Sequence, residues 1–109
     1  MILLMKSLQK QEVVLMYKFS VKAKQDLTAI THYTTEQFGR KQSDEYLHHL
    51  KKTLENIASF PQMGISRSEI GLNIFSFVCQ SHTIYYQIKS NYILVVRILN
   101  NRMDHKHYM

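Results

Sequence analysis

The side chains able to do chemistry here are six histidines, one cysteine and a few arginines and tyrosines. His48 and His49 are adjacent, so on a helix they diverge and cannot share a metal as residues four apart do. His32 reads as a surface residue. His105 and His107 are close enough to chelate in an extended tail, but no third ligand has a suitable context. No metal site and no cofactor are expected. Cys79 is the single cysteine, which excludes an internal disulfide and a thiolate cluster and suits a reducing cytoplasm.

Arg97 interrupts an apolar run of Ile93, Leu94, Val95, Val96, Ile98 and Leu99. An unpaired charge buried in a strand costs several kcal/mol, so this guanidinium must reach water or an acceptor. Two roles stand open: an internal pair with Glu69 or Asp104 that fixes the tail, or a contact with another molecule. Arg67 lies in a loop between Gly64 and Gly71 and is expected to be exposed. Arg102 and Asp104 follow the last apolar run, where an exposed mutual salt bridge contributes under ~1 kcal/mol. Stability gives them little purpose. Tyr85 and Tyr86 point to opposite faces of a strand, which places one in the core and the other outside.

These residues need a scaffold, and the periodicities supply one. Tyr17, Phe19 and Val21 alternate with Lys18, Ser20 and Lys22, the period of a half-buried strand. Ala23, Leu27, Ile30, Thr34 and Phe38 then recur at helical steps, predicting one amphipathic helix from about residue 22 to 38 that stops at Gly39. Tyr46, Leu47, Leu50, Leu54, Ile57 and Ala58 form a second stripe, closed by Pro61 and Gly64. Gly39 at the junction predicts an antiparallel helical hairpin. Runs at 74–78, 83–88 and 92–99, separated by two or three polar residues, predict an antiparallel meander. The expected fold is a two-layer α+β domain: strand, two helices, then a three-stranded antiparallel meander.

A chain of 109 residues with 45% hydrophobic content, 3 Gly and 1 Pro suits one folded domain. Met1 to Met5 is apolar, but Lys6 and Lys10 cut the run short of a membrane span or a signal-peptide core. Residues 1–15 are read as an extension arising from an upstream start, with the functional domain at 16–109. The rival reading of that extension is a short amphipathic helix laid on the domain. The net charge of +6 favours acidic partners. Beyond Gly71 the only carboxylate is Asp104, against Lys89, Arg97, Arg102 and Lys106, so the positive end is the C-terminal end.

The run from Tyr17 to Leu27, with Ile30, Tyr33-Thr34 and Gln37-Phe38-Gly39, resembles the opening strand and first helix of ParE toxins. Ile84-Tyr85-Tyr86 followed by Val96-Arg97-Ile98-Leu99-Asn100-Asn101-Arg102-Met103-Asp104 is similar to that family's closing strands and its Arg-Ile-Leu…Arg-Met-Asp signature. With Pro61-x-x-Gly64, the resemblance covers residues 16–109. It implies a RelE/ParE-like fold, a cognate ParD-like antitoxin, DNA gyrase as target, and a protein that binds rather than catalyses. Two departures stand out: Asn100 occupies a place where His is common, and the His105-Lys106-His107-Tyr108 tail lacks the family's Pro and Arg.

Under this resemblance, target contact falls to Arg97, Arg102, Asp104 and Tyr108. A small two-layer domain also offers an apolar groove that an acidic, partly disordered antitoxin segment fills by folding on binding. Its expected lining is Tyr33, Phe38, Tyr46 and Leu50. The competing reading is a RelE-like nuclease that cuts messenger RNA on the ribosome. That chemistry needs a base for the 2′-hydroxyl, cations for the phosphorane and an acid for the leaving oxygen. Arg67, Arg97, Arg102, His107 and Tyr108 are the residues able to supply them. A general RNA-binding module is weaker still, since no run interleaves stacking aromatics with Arg or Lys. Neither a membrane nor sequence-specific nucleic acid is an expected partner.

Overall fold

The computed structural model describes residues 15–109. The reading of residues 1–14 as an extension lies outside the described residues. Leu15, counted with that extension, donates its N–H to the Ala58 carbonyl at 3.1 Å and packs on the core.

Strand β1 (Met16–Phe19) leads into helix α1 (Val21–Phe38), and helix α2 (Arg40–Ser59) follows after one residue. A 3₁₀ turn (Pro61–Met63) and a two-residue strand β2 (Ile65–Ser66) precede the meander β3 (Ile74–Cys79), β4 (His82–Ile88) and β5 (Tyr92–Asn100). One helical turn, α3 (His105–Tyr108), ends the chain. The sheet order is β1-β5-β4-β3-β2. β1 runs parallel to β5 with Met16 opposite Tyr92, and the remaining pairs are antiparallel. The expected α+β order and all three meander strands are present. The sheet gains β2, whose two residues are too few to leave an alternation.

Local chemistry explains the element ends. Ser20 caps α1 by accepting from the Ala23 N–H at 3.0 Å, which satisfies one of the donors a helix start leaves free. Gly39, at φ 89°, ends α1 and begins α2 at once. A side chain is strained at that φ, so glycine permits a one-residue hinge. Both helices lay their stripes on one face of the sheet. Ala23, Ile30, Leu50, Leu54 and Ile57 meet Ile84, Tyr86, Ile93, Val95 and Ile98. Each large aliphatic buried there contributes roughly 1.5–3 kcal/mol.

The register of β5 contains one irregularity with a purpose. Tyr85 pairs with Arg97 and Tyr86 with Val95, so Val96 is an extra residue on β5. Without it, Ile98 and Val95 would face opposite sides, because facing alternates residue by residue. The bulge puts both in the core. It also twists the strand at Arg97.

The expectation that one of Tyr85 and Tyr86 is exposed does not hold: they are 4% and 0% accessible. Tyr86 faces the core, while the chain's end closes over Tyr85. The Tyr86 hydroxyl donates to the Pro61 carbonyl at 2.7 Å and accepts from the Gly64 N–H at 3.1 Å. This gives Pro61-x-x-Gly64 a physical reason, since the turn closes over one buried phenol.

Candidate functional site

Two neighbourhoods collect the residues singled out above. The first is an open groove of about 890 Å3 between α1, the start of α2, the β3–β4 turn and the segment after β5. Tyr33, Phe38 and Tyr46 line it, as do Ile30, His82, Arg102 and Met103. Tyr33 and Phe38 are 61% and 57% exposed, large apolar surfaces that the fold itself leaves uncovered. Leu50 must be withdrawn from this set. It is 1% exposed in the core, because its turn of α2 faces the sheet.

Tyr46 and His82 form the polar floor of the groove. The Tyr46 hydroxyl lies 2.5 Å from His82 Nδ1 and accepts from the Ser81 N–H at 3.2 Å. The Tyr46 hydroxyl thus links the β3–β4 turn to the His82 imidazole. Burial pushes the His82 pKa below its usual value, with the Asp26 carboxylate opposing. Burial likewise raises the Tyr46 phenol, and its bonds from Ser81 work against the rise. Both groups are neutral near pH 7.

The cationic end of the groove is held by asparagines. Asn101 N–H donates to the Ser81 carbonyl at 2.9 Å, its Nδ2 to the Gln80 carbonyl at 2.9 Å, and its Oδ1 accepts from Thr83 at 2.7 Å. Asn100 Oδ1 accepts from the Arg102 N–H at 2.9 Å, a local turn that a short amide side chain makes readily. The departure at Asn100 thus fixes the backbone of Arg102. Neither Asp104 nor any other carboxylate among the described residues lies within ion-pair reach of the Arg102 side chain.

The second neighbourhood is a row across the sheet. Ser76, Tyr85 and Arg97 are cross-strand partners on β3, β4 and β5. Arg67 Nε donates to Ser76 Oγ at 2.8 Å at one end, and Arg67 also pairs with Glu69 at 3.7 Å. Arg67 is therefore half-buried in a network instead of free in a loop. At the other end Arg97 meets Asp26 of α1: Nε to Oδ2 at 2.8 Å and Nη2 to Oδ1 at 2.9 Å. Neither Glu69 nor Asp104 is the partner of Arg97. The hydrogen bonds it donates to Asp26 hold the guanidinium pKa above its usual value, against the effect of burial.

Asp26 has a further task. β1 ends at Phe19, so the outer edge of β5 beyond Val95 has no strand beside it. Ser20 Oγ donates to the Val96 carbonyl at 2.8 Å, and Ile98 N–H donates to Asp26 Oδ2 at 2.9 Å. Helix α1 thereby satisfies backbone groups that a strand would otherwise have bonded.

The tail is docked and folded instead of extended. His105 Nδ1 lies 2.5 Å from the Tyr85 hydroxyl, its Nε2 contacts the Asn100 carbonyl at 2.9 Å, and Arg97 Nη1 donates to the Tyr108 carbonyl. Burial raises the Tyr85 phenol, while Arg67 draws it down and Glu69 pushes it up. His107 packs edge-on against Tyr108 at 5.0 Å. Asp104 precedes α3 and makes no side-chain cap.

The structure thus splits the expected sites. Tyr33, Phe38 and Tyr46 come together, and Arg102, expected to meet the target, joins them. Arg67, Arg97 and the Tyr108 backbone share the sheet row, but both guanidiniums there already hold carboxylates. Asp26, His82, Asn101 and Met103 were not foreseen. Asp26 reads as an ordinary solvent-face helix residue, and no local signal links it to Arg97. Among the described residues no three His, Cys, Asp or Glu come together as a metal site would need, and no helix is long and apolar enough to cross a membrane.

The comparisons with known proteins agree with this architecture. The family described as "ParE toxin of type II toxin-antitoxin system, parDE" matches residues 17–105. Toxin ParE1 of Caulobacter vibrioides is 28% identical over 88 residues, 81% of this chain and 91% of the relative. Toxin ParE3 of the same organism is 23% identical over 79 residues, 72% and 79% of the two chains. A solved structure titled "Chromosomal ParDE TA system from P. aeruginosa" contains a chain of similar fold, with a TM-score of 0.68 at 16% identity over 80% of this chain and 96% of that one. The match over residues 17–105 places the chain in the ParE toxin family of type II toxin–antitoxin systems.

Proposed function

We propose that this protein arrests growth by binding DNA gyrase and is neutralised by a ParD-like antitoxin whose segment folds into the groove. Family membership supports the toxin–antitoxin pairing. The observation that carries the binding site is the pair of exposed aromatics, Tyr33 and Phe38, on the wall of a groove otherwise built from a closed fold. Apolar surface of that kind marks an interface. Gyrase as the target rests on the family resemblance, and the sheet row with its docked tail is the surface proposed to meet it through Arg97 and Tyr108. The nuclease reading is less well supported by the same row, because phosphorane stabilisation needs cations free to receive new charge and both arginines there have acidic partners.

Supercoiling by purified gyrase tests the target. Added protein is expected to inhibit it, and the antitoxin protein encoded beside the gene to restore it. Unaffected gyrase together with cleavage of ribosome-bound messenger would replace this reading with the nuclease.

A further inference from the structure

The groove is chemically polarised, and the polarity carries information about what fills it. Its only lining carboxylate among the described residues, Asp26, accepts three hydrogen bonds, two from Arg97 and one from the Ile98 N–H. That charge is already neutralised. His82 is held neutral by burial, with the Asp26 carboxylate opposing. Arg102 is the remaining full charge on the lining, exposed and without a carboxylate partner among the described residues.

A segment that covers the groove removes water from Arg102. A guanidinium desolvated without an acceptor is strongly unfavourable, so a tight occupant must bring its own anion to that place. The backbone leading into Arg102 is pinned by Asn100 and Asn101, so the side chain starts from a fixed base and loses less freedom on pairing. On the same lining, Tyr33 and Phe38 present rings with no polar partner of their own to satisfy beyond the Tyr33 hydroxyl, and they select apolar side chains.

We propose that the groove reads a two-part pattern in its antitoxin: apolar side chains seated on Tyr33 and Phe38, and one Asp or Glu placed to pair with Arg102. This inference rests on the reading of the groove as the antitoxin site. It makes Arg102 the specificity-determining charge of that site, distinguishing an acidic segment from an equally apolar neutral or basic one. Because Arg102 also stands in the Arg-Met-Asp run that the resemblance links to the target, an antitoxin seated there covers a target-facing cation as well as the groove.

The experiment measures affinity of the full chain for the purified antitoxin encoded beside its gene. The variants are Arg102→Ala, Arg102→Glu, Tyr33→Ala and Phe38→Ala, each first shown folded by its thermal midpoint. Arg102→Ala is expected to weaken binding roughly 10- to 100-fold, the loss of a charge-assisted hydrogen bond, and Arg102→Glu more. The salt dependence of binding is expected to flatten in Arg102→Ala. Changing one antitoxin Asp or Glu to Lys should restore binding to Arg102→Glu while weakening binding to the unmodified protein. Full affinity in both Arg102 variants, with loss in Tyr33→Ala and Phe38→Ala, overturns the charge-reading role and leaves the groove standing. Full affinity in Tyr33→Ala and Phe38→Ala overturns the groove itself, and this inference with it.

Discussion

Arg97 and Asp26, 71 residues apart in the chain, form a two-pronged ion pair that ties the last strand to the first helix. Their side chains are only 15% and 13% exposed, and the carboxylate also bonds the Ile98 N–H. Removing one partner leaves the other charge uncompensated, which costs about 3–5 kcal/mol in buried pairs. Asp26→Ala is expected to fall in that range by urea unfolding, and Asp26→Asn to cost less because it keeps an acceptor for Ile98. A loss below about 1 kcal/mol would mean that water screens the pair as it screens surface pairs.

Gly64 should not tolerate a methyl group. A Cβ there would stand 2.4 Å from the Tyr86 hydroxyl and 2.9 Å from the Ser76 carbonyl oxygen. Gly64→Ala is expected to destabilise by about 1–3 kcal/mol through overpacking. Tyr86→Phe should cost a similar amount, since Gly64 N–H and the Pro61 carbonyl lose their shared partner. Thermal unfolding of both variants checks the arrangement, and an unshifted midpoint in Gly64→Ala would contradict it.

Ser43 offers a change in the other direction. It is buried in α2, and its hydroxyl has no hydrogen-bond partner among the described residues. Ser43→Ala removes an unsatisfied polar atom and improves helix propensity, so a gain of about 1 kcal/mol is expected. In a domain of this size that raises the midpoint by roughly 4–8 °C.

His82 gives stability a pH dependence. Its pKa is depressed in the fold, so below the ordinary imidazole value the unfolded chain takes up a proton that the folded chain resists. The unfolded state then binds more protons, and stability falls as pH drops from about 6.5 through the depressed value. Above that window the contribution is fully present. One proton limits the slope to about 1.4 kcal/mol per pH unit. His82→Asn, which keeps an acceptor for Tyr46, is expected to flatten the profile between pH 5 and 7 in urea titrations. Parallel profiles in the two proteins would assign the slope elsewhere.

Truncation after Met103 is expected to leave a folded but weakened domain. The core of Leu50, Ile57, Ile84 and Ile93 is untouched, while Tyr85 loses His105 and Arg97 loses the Tyr108 carbonyl. A cost of roughly 1–3 kcal/mol follows from the exposed and unpartnered groups. Calorimetry that finds no shift would show that the tail does not rest on Tyr85.

The architecture was legible from periodicity because long stripes and alternations report burial directly. Ala23, Ile30, Leu50, Leu54 and Ile57 all face the sheet as read. What resisted reading involves single residues and distant pairs. Leu50 and Tyr46 belong to one stripe, yet one is core and the other groove lining, because the sheet covers only part of α2. A parity rule puts Tyr85 and Tyr86 on opposite faces, but it cannot show that the chain's last turn covers Tyr85, nor that Val96 is a bulge. Arg97 demanded an acceptor on energetic grounds alone, but the identity of that acceptor depends on how α1 crosses the end of β5.

The parallel pairing of β1 with β5 also sets an order of events during synthesis. Among the described strands, β1 leaves the ribosome first and β5 last, and β1 has no other neighbour there. The helical hairpin can form early from local contacts, but the sheet edge that buries Tyr17 and Phe19 waits for Tyr92 to Val95. Asp26 similarly waits for Arg97. Closing so long a loop is the slow, costly step in such topologies. A nascent chain halted before β5 therefore lacks both the ion pair and one wall of the groove, so the mature surface arises only once β5 and the residues just after it have been made.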